Sequence, residues 1–154
     1  EIATRSGSNM VGYWNLPEAT ARTLQSDGWL RTGDAGYMDK DGYLYIHDRI
    51  KDMIISGGEN IYCAEVERVL GELPGITECA AFGIPDERLG ELLVAVVVAT
   101  GQTEQSIIYE VGSRLARYKA PGKVHFSAEG LPRNAVGKVD KRKLREAWLA
   151  SEGD

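Results

Sequence analysis

The chain has 154 residues, of which 43% are hydrophobic and 27% charged, with a formal net charge of -5. This composition is typical of a folded protein, and the length allows one small core, or a small domain plus part of another. No apolar run approaches the roughly 20 residues that span a bilayer, and no signal-peptide pattern opens the chain, so we expect a cytoplasmic location without indicated membrane association.

The first 47 residues are predicted to form short strands and turns. A short helix is predicted to begin at Pro17, because proline is favoured in the first helical turn. Strands at 37–38 and 43–46 flank Asp39-Lys40-Asp41-Gly42, whose Asp-Gly ending favours a tight hairpin with a positive φ at the glycine. These elements are too few to bury a core, which indicates the end of a larger domain.

From residue 51 the pattern changes to alternating helices and strands. A first helix is predicted to end at Pro74-Gly75, and strands follow at 78–84 and 92–99, the second a Val-rich run expected of a central strand. Thr103 is predicted to cap a second helix, residues 123–127 to form a strand, and Asp140 to cap a last helix. The helical spacing is carried by Val66, Val69, Leu70 and Leu73, then by Ile107, Ile108, Val111, Leu115 and Tyr118, and last by Leu144 and Trp148.

Segregated helices on a small mixed sheet make an α+β domain. We therefore predict two parts. Residues 1–50 would be the β-rich end of a large domain, and residues 51–154 a small domain with a mixed β-sheet flanked by helices. The chain also begins without Met, from which we expect it to be a piece of a larger protein.

Positive charge is concentrated towards the carboxyl end of the chain. The segment from Arg114 to Arg145 contains ten Lys or Arg and two acids, so it is net +8 and the remainder of the chain is -13. Such a segment suits a phosphorylated small molecule, a membrane surface or nucleic acid, and is otherwise an ordinary solvated face. The acidic remainder would repel a long polyanion, so we expect no nucleic-acid partner.

Cysteine and histidine are too sparse and scattered for a metal or redox centre. Cys63 and Cys79 lack the close spacing of such motifs and are expected to be reduced thiols. His47 and His125 are likewise isolated, so no metal site is predicted.

Two segments around the change of pattern offer polar groups to a ligand. Asp34 follows a glycine in a predicted loop, where its carboxylate can accept two hydroxyl hydrogen bonds from a ribose, although a loop Asp more often caps a turn. Arg49 ends a predicted strand, where it can pair with a nearby carboxylate or reach a nucleotide. The following Ser56-Gly57-Gly58-Glu59-Asn60 is predicted to be a loop whose glycines form a turn or let backbone approach a ligand closely.

Basic residues nearer the carboxyl end offer charge to a phosphate or carboxylate. Lys138 ends the predicted loop Pro132-Arg133-Asn134-Ala135-Val136-Gly137-Lys138, where an ammonium group can stabilise developing negative charge but is more often merely solvated. Tyr118, Lys119 and Lys123 offer an aromatic face for a base and cations for phosphate.

Together, Thr32-Gly33-Asp34, the run from Arg49 to Asn60 and the Pro132–Lys138 segment resemble the adenylate-forming enzymes, specifically their acyl-CoA ligase branch. The resemblance covers the whole chain but only the carboxyl-terminal part of such an enzyme. It implies that Asp34 binds the ribose of ATP and of the acyl-adenylate, and that Arg49 touches ribose or phosphate. It further implies that Lys51 is the hinge about which the small domain rotates.

For the remaining residues the resemblance implies roles in the two half-reactions. Lys138 would be the lysine that promotes adenylation. The pantetheine arm of coenzyme A would run through a channel lined by Gly57, Gly58, Glu59 and Asn60. The nucleotide end of coenzyme A would contact Tyr118 and Lys119. Leu89 stands where relatives carry Trp, so one stacking contact with coenzyme A is missing.

The implied reaction activates a carboxylic acid, a fatty acid by overall resemblance, with Mg-ATP to acyl-AMP and pyrophosphate, and then passes the acyl group to coenzyme A. ATP and Mg²⁺ would be bound mainly by the large domain, so this chain alone is expected to be inactive. Its partners would be the acid, ATP, coenzyme A and its own amino-terminal domain. Two alternatives are a ligase that delivers the adenylate to a carrier protein, and a non-catalytic module whose basic face binds a partner.

Overall fold

The computed structural model describes residues 1–151, which divide into one unit at Glu1–Lys51 and a second that begins at Asp52. The helices and strands of the first unit are β1 (Ala3–Thr4), α1 (Pro17–Thr23), β2 (Leu30–Arg31), β3 (Asp34–Met38) and β4 (Leu44–Arg49). Those of the second are β5 (Ile54–Ser56), β6 (Glu59–Ile61), α2 (Cys63–Gly71), β7 (Ile76–Asp86), β8 (Gly90–Ala99), α3 (Glu104–Arg114), β9 (Lys123–Phe126) and α4 (Lys141–Ser151). Short 3-10 turns lie at Ile50–Asp52 and Arg117–Lys119.

The first unit consists of two antiparallel strand pairs and a short helix. Strand β1 pairs with β2, and β3 pairs with β4. The predicted hairpin is confirmed: Gly42 has a φ of +84°, and the Asp39 carboxylate accepts a hydrogen bond of 2.9 Å from the backbone N–H of Tyr43. Helix α1 begins at Pro17 as predicted. None of the residues 1–51 is fully buried, so this unit has no core of its own.

A five-stranded mixed sheet forms the centre of the second unit. Strands β7 and β8 form a long antiparallel hairpin from Ile76↔Ala99 to Asp86↔Gly90. The other edge of β8 pairs antiparallel with β5 near Gly90 and parallel with β9 from Val94 onward. The mixed sheet and the central position of the Val-rich strand are therefore confirmed, and the architecture is α+β.

Apolar residues of β8 alternate between two core layers because successive side chains of a strand point to opposite faces. Leu93, Ala95 and Val97 pack in the layer that contains α2 and α3, whereas Val94 and Val96 pack in the layer that contains Leu144 and Trp148 of α4. All five of these β8 residues are buried. Burial on both faces explains why β8 reads as a continuous apolar run.

The predicted loop around the glycine pair is instead a β-hairpin. Ser56 and Glu59 pair across Gly57 and Gly58, whose φ angles are +59° and +85°. Positive φ at both central residues is the geometry of a tight two-residue hairpin turn, which glycine adopts without steric cost. Each strand is only three residues long, which is too short to show a period in the sequence.

Two helices end earlier than predicted. Helix α2 ends at Gly71 because the backbone N–H groups of Glu72 and Leu73 bond three residues back, which tightens the chain before Pro74. Helix α3 ends at Arg114 because Leu115 is extended (φ -110°, ψ -166°). Tyr118 was predicted to lie on the apolar face of α3 and lies instead in the Arg117–Lys119 3-10 turn.

The predicted caps of α3 and α4 are present. The Thr103 hydroxyl accepts a hydrogen bond from the Ser106 backbone N–H, and the Ser106 hydroxyl accepts one from the Thr103 N–H, which completes a reciprocal capping box. The Asp140 carboxylate accepts a hydrogen bond of 3.2 Å from the Lys143 backbone N–H.

We expect Thr103→Ala to lower the free energy of unfolding by about 1 kcal/mol, the usual cost of removing a hydroxyl N-cap. Urea denaturation of parent and variant measures the difference. Thr103→Ser keeps the accepting hydroxyl and serves as the control. If the alanine and serine variants were equally stable, the capping box would contribute nothing measurable.

Both cysteines are free thiols, in agreement with the prediction. The Cys63 thiol donates a hydrogen bond of 3.0 Å to the carbonyl oxygen of Asp52. Partial burial, together with the nearby Glu67 carboxylate, raises the pKa of Cys79 to about 11. Cys79 is therefore protonated at neutral pH and a poor nucleophile. No helix within residues 1–151 has the length and hydrophobicity needed to cross a membrane.

Candidate functional site

The two predicted nucleotide contacts of the first unit lie side by side. Asp34 and Arg49 face each other across the β3–β4 pair, and the Arg49 Nε lies 2.9 Å from the Asp34 Oδ1. The Asp34 side chain keeps 24% of its surface exposed and that of Arg49 57%. Gly33, with a φ of +75°, turns the chain into β3 just before this carboxylate. The pair thus presents an acceptor and charged donors together at an accessible edge, which suits ribose hydroxyls and a phosphate.

Lys51 lies in the 3-10 turn at the boundary of the two units. This turn follows directly on β4, which was predicted at 43–46 and extends to Arg49. The Lys51 residue is exposed. A change of φ and ψ at Lys51 would therefore not pull its own side chain out of a packed core.

The loop that carries Lys138 is held in one conformation by hydrogen bonds to its own backbone. The Asn134 carboxamide oxygen accepts from the N–H groups of Val136 (3.1 Å) and Lys138 (3.0 Å), and the Asn134 N–H donates to the Lys138 carbonyl at 2.8 Å. Gly137 has a φ of +82°, which the tight return of the chain requires. Lys138 is exposed, and its ammonium group has no ion-pair or hydrogen-bond partner among residues 1–151. The hydrogen-bonded backbone of the loop thus presents the Lys138 ammonium group, whose charge no residue of 1–151 compensates.

Arg133 attaches this loop to the start of β7. Its guanidinium donates from Nη2 to the Glu78 Oε2 at 2.8 Å and from Nη1 to the Gly137 carbonyl oxygen at 3.0 Å. The same Glu78 oxygen accepts a hydrogen bond of 3.3 Å from the Leu131 N–H. The Glu78 carboxylate therefore restrains the loop at two positions. It binds Leu131 directly, just before the loop, and it acts through Arg133 on Gly137, the residue before Lys138.

At the other end of β7 and β8 lies the turn of the β5–β6 hairpin. The Gly57 N–H donates to the Leu89 carbonyl oxygen at 2.8 Å, and the Ile55 N–H donates to the Glu91 Oε2 at 2.9 Å. Apart from Gly58 and its two chain neighbours, no heavy atom of residues 1–151 lies within 4 Å of the position that a Gly58 Cβ would occupy. Glu59 and Asn60, predicted to be in a loop, lie exposed in β6. This turn offers bare backbone to an extended ligand.

The residues proposed for the nucleotide end of coenzyme A are engaged differently. Tyr118 is 47% exposed, and the Lys119 Nζ lies over its ring at 5.9 Å from the centroid, so only the remaining exposed surface of the ring is available for stacking. The Lys119 Nζ lies 2.6 Å from the Glu65 Oε2 of α2, and the Lys119 side chain is only 18% exposed. The Glu65 carboxylate therefore already compensates the charge that Lys119 was predicted to offer to a phosphate.

The Lys138 loop and the Gly57–Gly58 turn are not parts of one site. The first is attached at Glu78 and the second at the turn that joins Asp86 to Gly90. Glu78 and Asp86 are eight residues apart in the same strand, which corresponds to about 27 Å at the rise of an antiparallel strand. One small reacting group therefore cannot lie at both attachment points at once.

The basic segment is largely compensated in three dimensions. At least five of its ten cations lie within ion-pair distance of a carboxylate, and all five of these acids lie outside the segment. The pairs are Arg114–Glu110, Lys119–Glu65, Arg133–Glu78, Lys141–Glu67 and Arg142–Glu146. The net charge counted along the sequence therefore overstates the positive charge available to a polyanion.

Sequence reasoning did not single out Glu78 or Glu91, although each binds one of the two loops. The signal available in the sequence is weak. Each is an acid at the margin of an apolar strand, a position that most often is simply solvated.

Within residues 1–151, no cluster of three or more His, Cys, Asp or Glu residues is arranged so that it could hold a metal ion.

Comparison with known proteins gives a consistent result. Residues 65–138 match the model of the AMP-binding enzyme C-terminal domain. The chain is 52% identical over 153 residues to the long-chain-fatty-acid–CoA ligase FadD13 of Mycobacterium tuberculosis, covering 98% of this chain and 30% of that protein. It is 46% identical over 151 residues to the fatty acid–[acyl-carrier-protein] ligase ScoC of Streptomyces coeruleorubidus, covering 96% of this chain and 29% of that protein.

A solved structure shows the same fold. The o-succinylbenzoate CoA synthetase of Bacillus subtilis, in complex with its acyl-adenylate intermediate, matches with a TM-score of 0.87 at 40% identity, covering 94% of this chain and 30% of that chain. The present chain thus spans about 30% of the length of the relatives it matches. Sequence, fold and motif placement agree: the chain belongs to the adenylate-forming enzymes, with their AMP-binding C-terminal domain at residues 65–138.

Proposed function

We propose that the protein containing this chain is an acyl-CoA ligase that converts a carboxylic acid and ATP to acyl-AMP and pyrophosphate, and then transfers the acyl group to coenzyme A. The observation that carries the proposal is the ordered Lys138 loop, which exposes an unpaired cation in an AMP-binding C-terminal domain. The similarity to the ligase FadD13 favours a fatty acid as the substrate.

In the adenylation step Lys138 contributes a positive charge. Attack of the carboxylate on the α-phosphate of ATP places negative charge on phosphate oxygens, and a positioned ammonium group stabilises that charge. Asp34 accepts hydrogen bonds from the ribose hydroxyls while Arg49 holds the Asp34 carboxylate in place and offers donors to phosphate. We expect the Mg²⁺ that accompanies ATP to be bound mainly by the large domain, as the resemblance implies.

In the thioester step the Gly57–Gly58 turn borders the pantetheine arm of coenzyme A. The thiolate attacks the acyl carbonyl carbon, the bond to the AMP phosphate oxygen breaks, and AMP leaves with that electron pair. Gly58 allows the arm to pass because it carries no side chain and faces open space. Glu59 and Asn60 contribute contacts, and Tyr118 stacks on the adenine.

The separation of the two loops explains why such an enzyme needs a rotation. Because their attachment points lie about 27 Å apart along one strand, each loop must be brought to the acyl group in turn. The 3-10 turn at Lys51 is the proposed pivot.

Lys51→Pro should retain adenylation while thioester formation falls. Proline fixes φ near -65° and disfavours helical backbone at the preceding Ile50, so the turn loses the freedom that a hinge requires. Single-turnover pyrophosphate release and steady-state thioester formation measure the two effects. Lys51→Ala keeps backbone freedom and should behave like the parent. Undiminished turnover in the proline variant would place the pivot elsewhere.

A carrier protein is the second candidate for the acceptor, favoured by the similarity to ScoC. It presents the same phosphopantetheine thiol, so the residues above would serve either acceptor. The intact protein should be tested against a panel of acids with pyrophosphate detection, then with coenzyme A or a phosphopantetheinylated carrier protein. Acid-dependent pyrophosphate release followed by thioester on coenzyme A supports the proposal, thioester on the carrier alone supports the second candidate, and no pyrophosphate release with any acid contradicts both.

A further inference from the structure

Each end of the β7–β8 hairpin carries one carboxylate that binds the loop found there. We propose that Glu78 and Glu91 are positioning residues, each for one half-reaction: Glu78 places the Lys138 loop for adenylation, and Glu91 places the Gly57–Gly58 turn for thioester formation. The inference rests on the proposed function of these two loops.

Glu78 acts on Lys138 through a short chain of contacts. Its Oε2 accepts from the Arg133 Nη2 at 2.8 Å, and the Nη1 of the same guanidinium donates to the carbonyl of Gly137, the residue before Lys138. Because the guanidinium is planar and rigid, an arginine held at one end fixes the direction of its other donors. The Glu78 side chain is 27% exposed, so solvent competes only partly for this ion pair.

Glu91 acts on the glycine turn in a corresponding way. Its Oε2 accepts from the Ile55 N–H at 2.9 Å, two residues before Gly57. The other oxygen lies against Gly83 of β7, where an added Cβ would be 3.0 Å from the Glu91 Oε1. The absence of a side chain at Gly83 therefore makes room for the carboxylate and for the approach of β5.

The two carboxylates are far enough apart to act independently. Glu78 lies opposite Val98 in β8, seven residues from Glu91, which corresponds to about 24 Å along the strand. Substitutions at sites this distant, with no shared partners, are expected to have additive effects. Loss of one carboxylate should therefore impair one half-reaction and spare the other.

The test uses Glu78→Ala and Glu91→Ala in the intact protein, with two assays. Adenylation is measured as acid-dependent pyrophosphate release, and thioester formation is measured from supplied acyl-adenylate and coenzyme A. We expect Glu78→Ala to lower the first rate about tenfold and Glu91→Ala the second about tenfold, the scale of a small displacement of an active-site group. The other rate should stay within about twofold in each variant, and the Gln variants, which keep an acceptor oxygen, should lose less.

Glu72→Ala is the matched control. Glu72 pairs with Arg68 and Arg114 and contacts neither loop, so its loss should leave both rates unchanged. If an alanine variant does not fold, two milder substitutions replace it. Arg133→Lys keeps a cation for Glu78 but lacks the second planar donor that bonds the Gly137 carbonyl. Gly83→Ala crowds the Glu91 carboxylate at 3.0 Å and also Ile54 of β5 at 3.2 Å.

Equal losses in both half-reactions, or no loss in the expected one, would overturn the positioning roles. Lys138→Ala and Gly58→Leu are measured in parallel. If they leave their own half-reactions intact, the proposed function of the loops is wrong. If they impair those steps while the glutamate variants do not, only the positioning roles are wrong.

Discussion

Lys138→Ala in the intact protein should lower the rate of acyl-adenylate formation by about 10²-fold or more, the usual consequence of removing a charge partner from a transition state. The physical reason is that the Lys138 ammonium group is exposed, without a partner among residues 1–151, and carried by a backbone fixed through Asn134. Its charge is therefore free for the substrate. Conversion of supplied acyl-adenylate to thioester should be largely spared, because we propose that this step uses the opposite end of the hairpin.

Single-turnover pyrophosphate release and thioester formation from supplied adenylate measure the two steps separately. Lys143→Ala is the matched control, since Lys143 is an exposed lysine in the first turn of α4 and has no proposed role. It should leave both rates at the parent value. An equal loss in both steps for Lys138→Ala would indicate that the lysine supports folding or uniform binding rather than adenylation.

Gly58→Leu should abolish thioester formation while leaving acid-dependent pyrophosphate release in a first turnover. Gly58 has a φ of +85°, so a leucine costs about 1–2 kcal/mol of backbone strain, too little to unfold a typical domain. Beyond the two adjoining residues, no heavy atom of residues 1–151 lies within 4 Å of the Gly58 Cβ position, so the leucine side chain would project into the space proposed for pantetheine. The expected damage is thus steric and confined to the step that uses coenzyme A.

Gly101→Leu separates strain from obstruction. Gly101 also has a positive φ, +70°, and open space around its Cβ position, but it lies in the loop after β8, which has no proposed ligand. The strain of the two variants is comparable, and a thermal unfolding series checks this. If thioester formation persists at the parent rate in Gly58→Leu, the glycine pair is only a turn and the coenzyme A channel lies elsewhere.

Features set by neighbouring residues were predicted correctly. The Gly42 turn, the start of α1 at Pro17 and the caps at Thr103 and Asp140 each depend on interactions within a few residues, so their residue types identify them. The central strand was also recognisable, because burial on both faces demands an apolar run. The site residues assigned by resemblance remain predictions.

Features that depend on distant partners were missed or only partly predicted. The β5–β6 hairpin is short, and its position is set by bonds to Leu89 and Glu91, more than 30 residues along the chain. Tyr118 was placed on α3 because its spacing fits a helix, yet Leu115 becomes extended and ends that helix first. The spacing of apolar residues alone does not show at which residue a helix ends.

The sequence by itself determined the local turns, the caps, the alternation of helices and strands and the motifs by which the family is recognised. Only the tertiary structure decided which charges meet. Glu65 and Glu78 lie 54 and 55 residues from Lys119 and Arg133, the cations that they bind, and Glu78 and Glu91 bind different loops at opposite ends of one hairpin. The physical reason is that such encounters depend on the register of β7 against β8 and on the packing of helices over them, which no local pattern of residues specifies.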